Sequence, residues 1–197
     1  MKKQLFFFAI GLFAASMSFA QKGSVLVGGD LSFNYLTYPQ TSTNAKSTQW
    51  NLSVSPVVGY QFANAWTAGL ILGYGHVEDK QLGQVTNSGN TWEVGPFVRY
   101  THALSSWVSL YGQFQATYLD QGKVDQFNAY QGEALLYPAL FFDVKNGFGI
   151  NLSLGGLSYT YDHIQSGGTT QQMVNLTFGN TVLIGVSKNF GGHRKGA

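Results

Sequence analysis

The stretch that decides the fold is Trp50 to Leu70, WNLSVSPVVGYQFANAWTAGL. Its even positions Trp50, Leu52, Val54, Pro56, Val58, Tyr60 and Phe62 are apolar, Asn51, Ser53, Ser55, Gly59 and Gln61 between them are small or polar, and only Val57 breaks the rule. Side chains on a strand point alternately to opposite faces, so this period of two describes a strand with one greasy face and one wet face. The proline in its middle is at odds with a central strand, because proline cannot donate to a ladder and is confined to edges, strand starts and bulges. The oddity repeats: Val54-Ser-Pro-Val-Val-Gly-Tyr60 has counterparts in Val94-Gly-Pro-Phe-Val-Arg-Tyr100 and Leu136-Tyr-Pro-Ala-Leu-Phe-Phe142, and only Pro39 falls outside the pattern.

The same period runs outward in both directions. Val25, Val27, Leu31, Phe33 and Tyr35 alternate with Asp30, Ser32 and Asn34; Trp66 to Tyr74, Trp92 to Tyr100, Val108 to Tyr118 and Ala129 to Asp143 follow, the last less cleanly because Leu135 and Phe141 sit on its polar face. Phe148 to Leu154 continues, with a phase shift expected at Gly155-Gly156 as a bulge. Val174 to Phe190 completes eight strands. Connections alternate in length. Short turns fall at 63–65, 103–106 and 145–147, the last holding Asn146-Gly147, the strongest two-residue hairpin signal. Longer polar stretches, read as loops, lie at 36–47, 79–90, 120–128 and 162–170. This is an up-and-down meander, with each repeated proline just ahead of a short turn.

Composition agrees: 197 residues fit one domain, and 25 Gly, 15 % aromatic and 10 % charged residues form a β-rich profile. Lys2 and Lys3, the apolar run Leu5 to Ala15 and the small-residue site Ser18-Phe-Ala20 read as a signal peptide over residues 1–20, the run being shorter than the ~20 residues a spanning helix needs. Residues 21–190 are assigned to the barrel and 191–197 to a short basic tail. Without Lys2 and Lys3, 9 basic residues face 9 acidic ones, so the mature chain lacks the basic footprint of a nucleic-acid binder. With no cysteine there is no disulfide, thiolate or lipidation site.

Eight alternating strands can close into a barrel, which removes aggregation-prone edges. So narrow a barrel is filled by its own side chains, favouring small residues inside and bulky ones outside. Gly, Ser, Asn, Gln and Thr crowd the polar face here, while Leu, Val, Trp and Tyr crowd the other, so the apolar face points outward and its solvent is lipid. The alternative, a soluble barrel with an ordinary apolar core, puts the large residues where there is least room. Trp66, Phe148, Tyr60, Tyr100 and Phe142 beside the short turns, and Trp50, Tyr74 and Trp92 near the long stretches, form two interfacial girdles. Trp107 is out of phase and the pattern does not explain it. Pro56, Pro96 and Pro138 have outward parity, each expected at a bulge or widened ladder position.

On these residues, from Gly23 to Phe190 and including the aromatic-ended last strand TVLIGVSKNF, the chain resembles the small outer-membrane β-barrel proteins of the Bacteroidota, of OmpA/OmpX-type architecture. The resemblance implies a monomeric barrel in contact with outer-membrane lipid and lipopolysaccharide, inserted by the barrel-assembly machinery, whose work is structural or done by its long surface loops as a binding or adhesion surface for an extracellular ligand. It implies no cofactor. No wall-binding domain is expected after the barrel.

Inward parity places Asp30, Glu93, Glu133 and Asp143 in the lumen with Arg99 as their basic partner. Buried charges must be paired or hydrated, so these residues are expected to form a polar network that rigidifies the barrel. The functional alternative is a narrow cation-favouring passage, since rings of acids attract cations. A third reading, a lipid A-modifying enzyme, draws on Asp162, His163 and Ser166 in YTYDHIQSGG, a spacing that matches no expected pattern. His76, His102 and His193 lack metal-ligand spacing, and Asn51-Leu-Ser, Asn151-Leu-Ser and Asn175-Leu-Thr are strand steps that mimic glycosylation sequons.

Overall fold

A computed structural model describes residues 23–39, 46–81, 83–124, 127–164 and 169–191. The signal-peptide assignment, nearly all of the basic tail and Ser166 lie outside them. Eight strands form one closed antiparallel barrel in chain order: β1 (Val25–Pro39), β2 (Lys46–Ala63), β3 (Trp66–Gln81), β4 (Gln84–Ala103), β5 (Val108–Val124), β6 (Phe127–Lys145), β7 (Phe148–Ile164) and β8 (Thr169–Phe190). Local chemistry sets the tight turns. Asn146 and Gly147 take φ of 51° and 78°, the pair of positive values that a two-residue hairpin of matching twist needs.

Orientation follows from exposure. Leu70 is 54 % exposed on β3 whereas Gln113 on β5 is 1 % exposed, and along both strands the apolar parity faces out and the polar parity faces in. Such a surface in water would be one continuous sticky patch; in hydrocarbon it is the compatible one, because the ladders pair backbone groups with neighbouring strands and need no water. The chain is a transmembrane β-barrel. Its belt is bounded by aromatic pairs: Trp66 meets Tyr100 edge-on with ring centroids 5.0 Å apart, and eight residues along, Tyr74 meets Trp92 at 4.8 Å. Eight residues at about 3.3 Å each, tilted by about 40°, give roughly 20 Å of height, close to the ~25 Å apolar band of such barrels. Trp107 finds its explanation here: it lies in the β4–β5 turn, not on a strand face, with its ring 6.0 Å from Phe142, and so extends the inner girdle.

One feature differs from the sequence reading and a second makes it more specific. The long polar stretches are for the most part strand: β3 continues to Gln81 and β4 begins at Gln84, so paired arms project past the outer girdle. Beyond the bilayer both faces meet water, so the alternation fades although backbone pairing continues. The repeated prolines share a ladder gap, and only one sits at a register shift. Each keeps its place opposite the preceding strand, where Gly29 faces Pro56, Leu70 faces Pro96 and Gly112 faces Pro138. Toward the following strand the ladder jumps from Val54–Tyr74 to Val57–Ile71, from Val94–Tyr118 to Phe97–Gln115, and from Leu136–Leu157 to Ala139–Ser153. The first two jumps keep register; the third shifts by one against Gly155-Gly156, and Gly155 takes φ 101°, which L side chains rarely adopt.

Leu70 stands midway between the girdles, so Leu70→Arg is expected to lower unfolding free energy in phospholipid vesicles by about 2–4 kcal/mol. Gln84→Arg on the β3–β4 arm should leave it unchanged; urea titration of both variants checks the placement of the belt.

Candidate functional site

The bore is a plug built around Arg99. From β4 its guanidinium reaches β5, where Nε and Nη2 donate to Gln113 Oε1 at 2.9 and 2.7 Å. Gln113 passes the network on, its Nε2 donating to Gln115 Oε1 at 3.0 Å. The guanidinium carbon lies 4.0 Å from the Tyr111 ring centroid and 5.7 Å from that of Phe97, so the cation meets aromatic faces as well as being hydrogen-bonded. The Tyr137 ring meets that of Tyr111 edge-on, with centroids 6.4 Å apart. Those two donors therefore go to an amide oxygen, where the sequence suggested a carboxylate.

The acids are distributed around this plug. Asp30 and Glu93 line the same cavity as Arg99, a space of about 150 Å³ that Ser55, Gln115 and Asn151 also border. Asp30 Oδ1 lies where a Cβ on Gly185 would stand, so its carboxylate fills the space that this glycine leaves. Glu93 packs on Gly73, and Glu133, on β6, is not among the residues that line the Arg99 cavity. Asp143 is apart from these: at the β6–β7 turn its Oδ1 accepts from Gly147 N at 3.2 Å.

What the sequence reading missed is the apolar and aromatic part of the filling. Leu26, Ile71 and Phe97 form a small buried cluster with Val57 against it, and Tyr111 is buried beside Arg99. The available signal was glycine on the inward parity of neighbouring strands. A Cβ at Gly59 would stand 2.9 Å from Phe97 Cζ, and one at Gly69 2.7 Å from its Cε1, so two missing side chains make the space for one ring.

Asp162 and His163 are consecutive on β7 and point to opposite faces, so they do not form an acid–base pair. His163 Nδ1 instead stands 3.4 Å from Thr170 Oγ1, and the ring stacks on Tyr130 at 5.5 Å. Among the described residues no group of three or more His, Asp or Glu is arranged to hold a metal.

Above the outer girdle the arms carry a second polar assembly. Trp50 Nε1 donates to Glu78 Oε1 at 2.9 Å, Lys80 Nζ stands 2.7 Å from the same oxygen, and Asn87 Nδ2 donates to Asp79 Oδ2 at 3.1 Å. Asn90 Oδ1 accepts from the Tyr74 hydroxyl at 3.0 Å and lies 2.7 Å from His76 Nδ1. These bonds cross from β2 to β3 and from β3 to β4, holding the arms as one polar ribbon.

No protein-family model matches the chain, and no curated protein matches its sequence. Solved structures do. The chain is similar to a designed protein described under de novo design of transmembrane beta-barrels, with TM-score 0.37 and 16% identity over 87% of this chain and 99% of that one. It is also similar to the Yersinia pestis outer membrane protein Ail in a phospholipid bilayer nanodisc, with TM-score 0.37 and 15% identity over 86% of this chain and 100% of that one. At such identities the likeness concerns the barrel fold alone.

Because hydrogen bonds to a charged group contribute roughly 1.5–3 kcal/mol, Gln113→Leu is expected to destabilise by about that much. Arg99→Glu, which sets a carboxylate against Gln113 Oε1 and beside two acids, should destabilise by about 3–5 kcal/mol. Unchanged thermal unfolding of both in detergent would overturn the plug. On the arm, the Lys80 and Trp50 hydrogen bonds hold the Glu78 carboxyl below the usual carboxylate range. A depressed value means the pair is intact at neutral pH and is lost as pH falls through it. Carbon-detected titration should place Glu78 below an ordinary exposed glutamate, and Lys80→Gln should raise it.

Proposed function

We propose that the protein is an integral outer-membrane barrel of a Gram-negative bacterium of the Bacteroidota, whose work is done by its outer arms as a binding or adhesion surface. The observation that carries this reading is the contrast between the two ends. Three tight turns close one end, while paired polar arms extend well past the girdle at the other. Pairing so much chain beyond the bilayer adds nothing to spanning it, so the arms are the part with work left to do. In this reading outer-membrane lipid meets the belt, lipopolysaccharide meets the outer girdle and the lower part of the arms, and the last strand, ending at Phe190, addresses the assembly machinery. The barrel works as a monomer, and its extracellular ligand is recognised by arm side chains.

A narrow cation passage is the second reading, favoured by Asp30 and Glu93 facing one cavity. Against it, the guanidinium of Arg99 and its partners cross the bore.

The two readings separate in one pair of measurements. Removing residues 78–88 shortens the β3–β4 arm while leaving His76 opposite Asn90. The shortened protein should keep the difference in gel mobility between boiled and unboiled samples that marks a folded barrel, yet cells carrying it should adhere less to glycoprotein-coated surfaces. Steady potassium conductance of the full chain in planar bilayers, with adhesion unaltered by the deletion, would favour the passage instead.

A further inference from the structure

Most seams of the barrel are zipped along nearly their whole length, as β1 is to β2 from Val25–Tyr60 to Pro39–Lys46. The β1–β8 seam is different. It pairs only from Val25–Phe190 to Gly29–Val186; beyond that point β1 runs on to Pro39 and β8 back to Thr169 with no ladder between them. The parting has local causes. Below it, Gly28 clasps β8 so closely that a Cβ would stand 2.7 Å from Ser187 Cβ. Above it, β8 sets four residues, 179–182, against the single Leu154 of β7 as the register steps from Ser153–Leu183 to Gly155–Phe178. This bulge diverts the edge of β8 at the height where β1 leaves it.

The parted edges are apolar without and polar within. Leu31 and Ile184 are 70 % and 65 % exposed on the lipid side, while Ser32 and Asn34, on the lumen parity of β1, are exposed too. A cleft of about 370 Å³ lies between the edges, lined by Leu31, Val54, Pro56 and Ile184 among others, and it shares Gly29, Asp30 and Val186 with the lumen cavity. Asp30 therefore stands between the belt and the cavity that Glu93 borders.

Free backbone edges cannot stand open to hydrocarbon, because each unpaired group there is costly. Their complement has a greasy part for the cleft and a hydrogen-bonding head for the threshold. The head chemistry is set by Asp30 and Glu93, since Arg99 already has Nε and Nη2 on Gln113. We propose that the β1–β8 seam is a lateral portal through which an ammonium-bearing membrane amphiphile places its head in the lumen, leaving its hydrocarbon chain against Leu31, Val54 and Ile184. This requires a bilayer around the barrel but no particular role for the arms.

The chain has no cysteine, so an engineered pair addresses the seam alone. Leu31 and Ile184 would be opposite each other if the register of Gly29–Val186 continued, so a disulfide in Leu31→Cys/Ile184→Cys zips the portal. The probe is a long-chain primary amine with a diazirine close to its ammonium, in phospholipid vesicles holding the full folded chain. With the pair reduced, cross-links should map to lumen residues such as Ser55 and Gln115; oxidation should bring them to background and reductant should restore them. The pair Val27→Cys/Lys188→Cys, in the zipped segment, should show no redox effect. Lumen cross-links that are absent, or that survive the bridge, would overturn the portal, and equal labelling by the matching long-chain alcohol would overturn the ammonium assignment. Hydrogen exchange on the unaltered chain is independent of the variants: Leu31 and Phe33 amides should exchange faster than those of Leu70 and Leu72, and equal protection would overturn the parting itself. Any of these failures leaves the arm-deletion result standing on its own.

Discussion

A peptide group inside hydrocarbon has no water to bond to, and this constraint organises the molecule. It makes the sheet close, because a closed ladder keeps N–H and C=O groups paired across neighbouring strands. Closure at eight strands then fixes a bore narrow enough for side chains to fill most of it. The outside must be greasy and the inside filled, which is the reverse of a soluble domain. The filling is not uniformly polar: Phe97 lies on Gly59 and Gly69, and Arg99 lies on Tyr111. A cation in such a bore is held by a ring face and an amide oxygen, which satisfy it without a buried carboxylate at hydrogen-bond range.

The fold was legible because one rule, a period of two, applies to every strand that crosses the belt. Turn chemistry was legible where a single local conformation demands a residue type, as at Asn146-Gly147 and Gly155. The arms were not, since between Gln84 and Asn90 neither face is buried and alternation carries no information, although pairing continues through a one-residue shift between Asp79–Asn87 and Lys80–Val85. In the site, parity gave the face of Asp30, Glu93 and Arg99 but not their partners across the bore. Contacts there depend on strand tilt and on which neighbour lacks a side chain, and no window along one strand contains both. Hence Gln113 and Tyr111 went unassigned as partners of Arg99. Trp107 looked anomalous only because a turn residue was judged by the parity of a strand.

The repeated prolines and the open seam are two answers to the same problem of bending a tight barrel. A small barrel must coil strongly, and ladder interruptions let strands bend. At Pro56, Pro96 and Pro138 the gap faces the following strand, and proline is the residue that leaves no N–H behind when a bond is given up. What stays unmet is a carbonyl, the more tolerable of the two backbone orphans. Between β1 and β8 no proline occupies the parted segment short of Pro39, so donors as well as acceptors are left on both edges. A bend made with proline is closed to further bonding by its chemistry. An edge made of Leu31, Ser32, Phe33 and Asn34 is not, and that difference separates a bend in the wall from an opening in it.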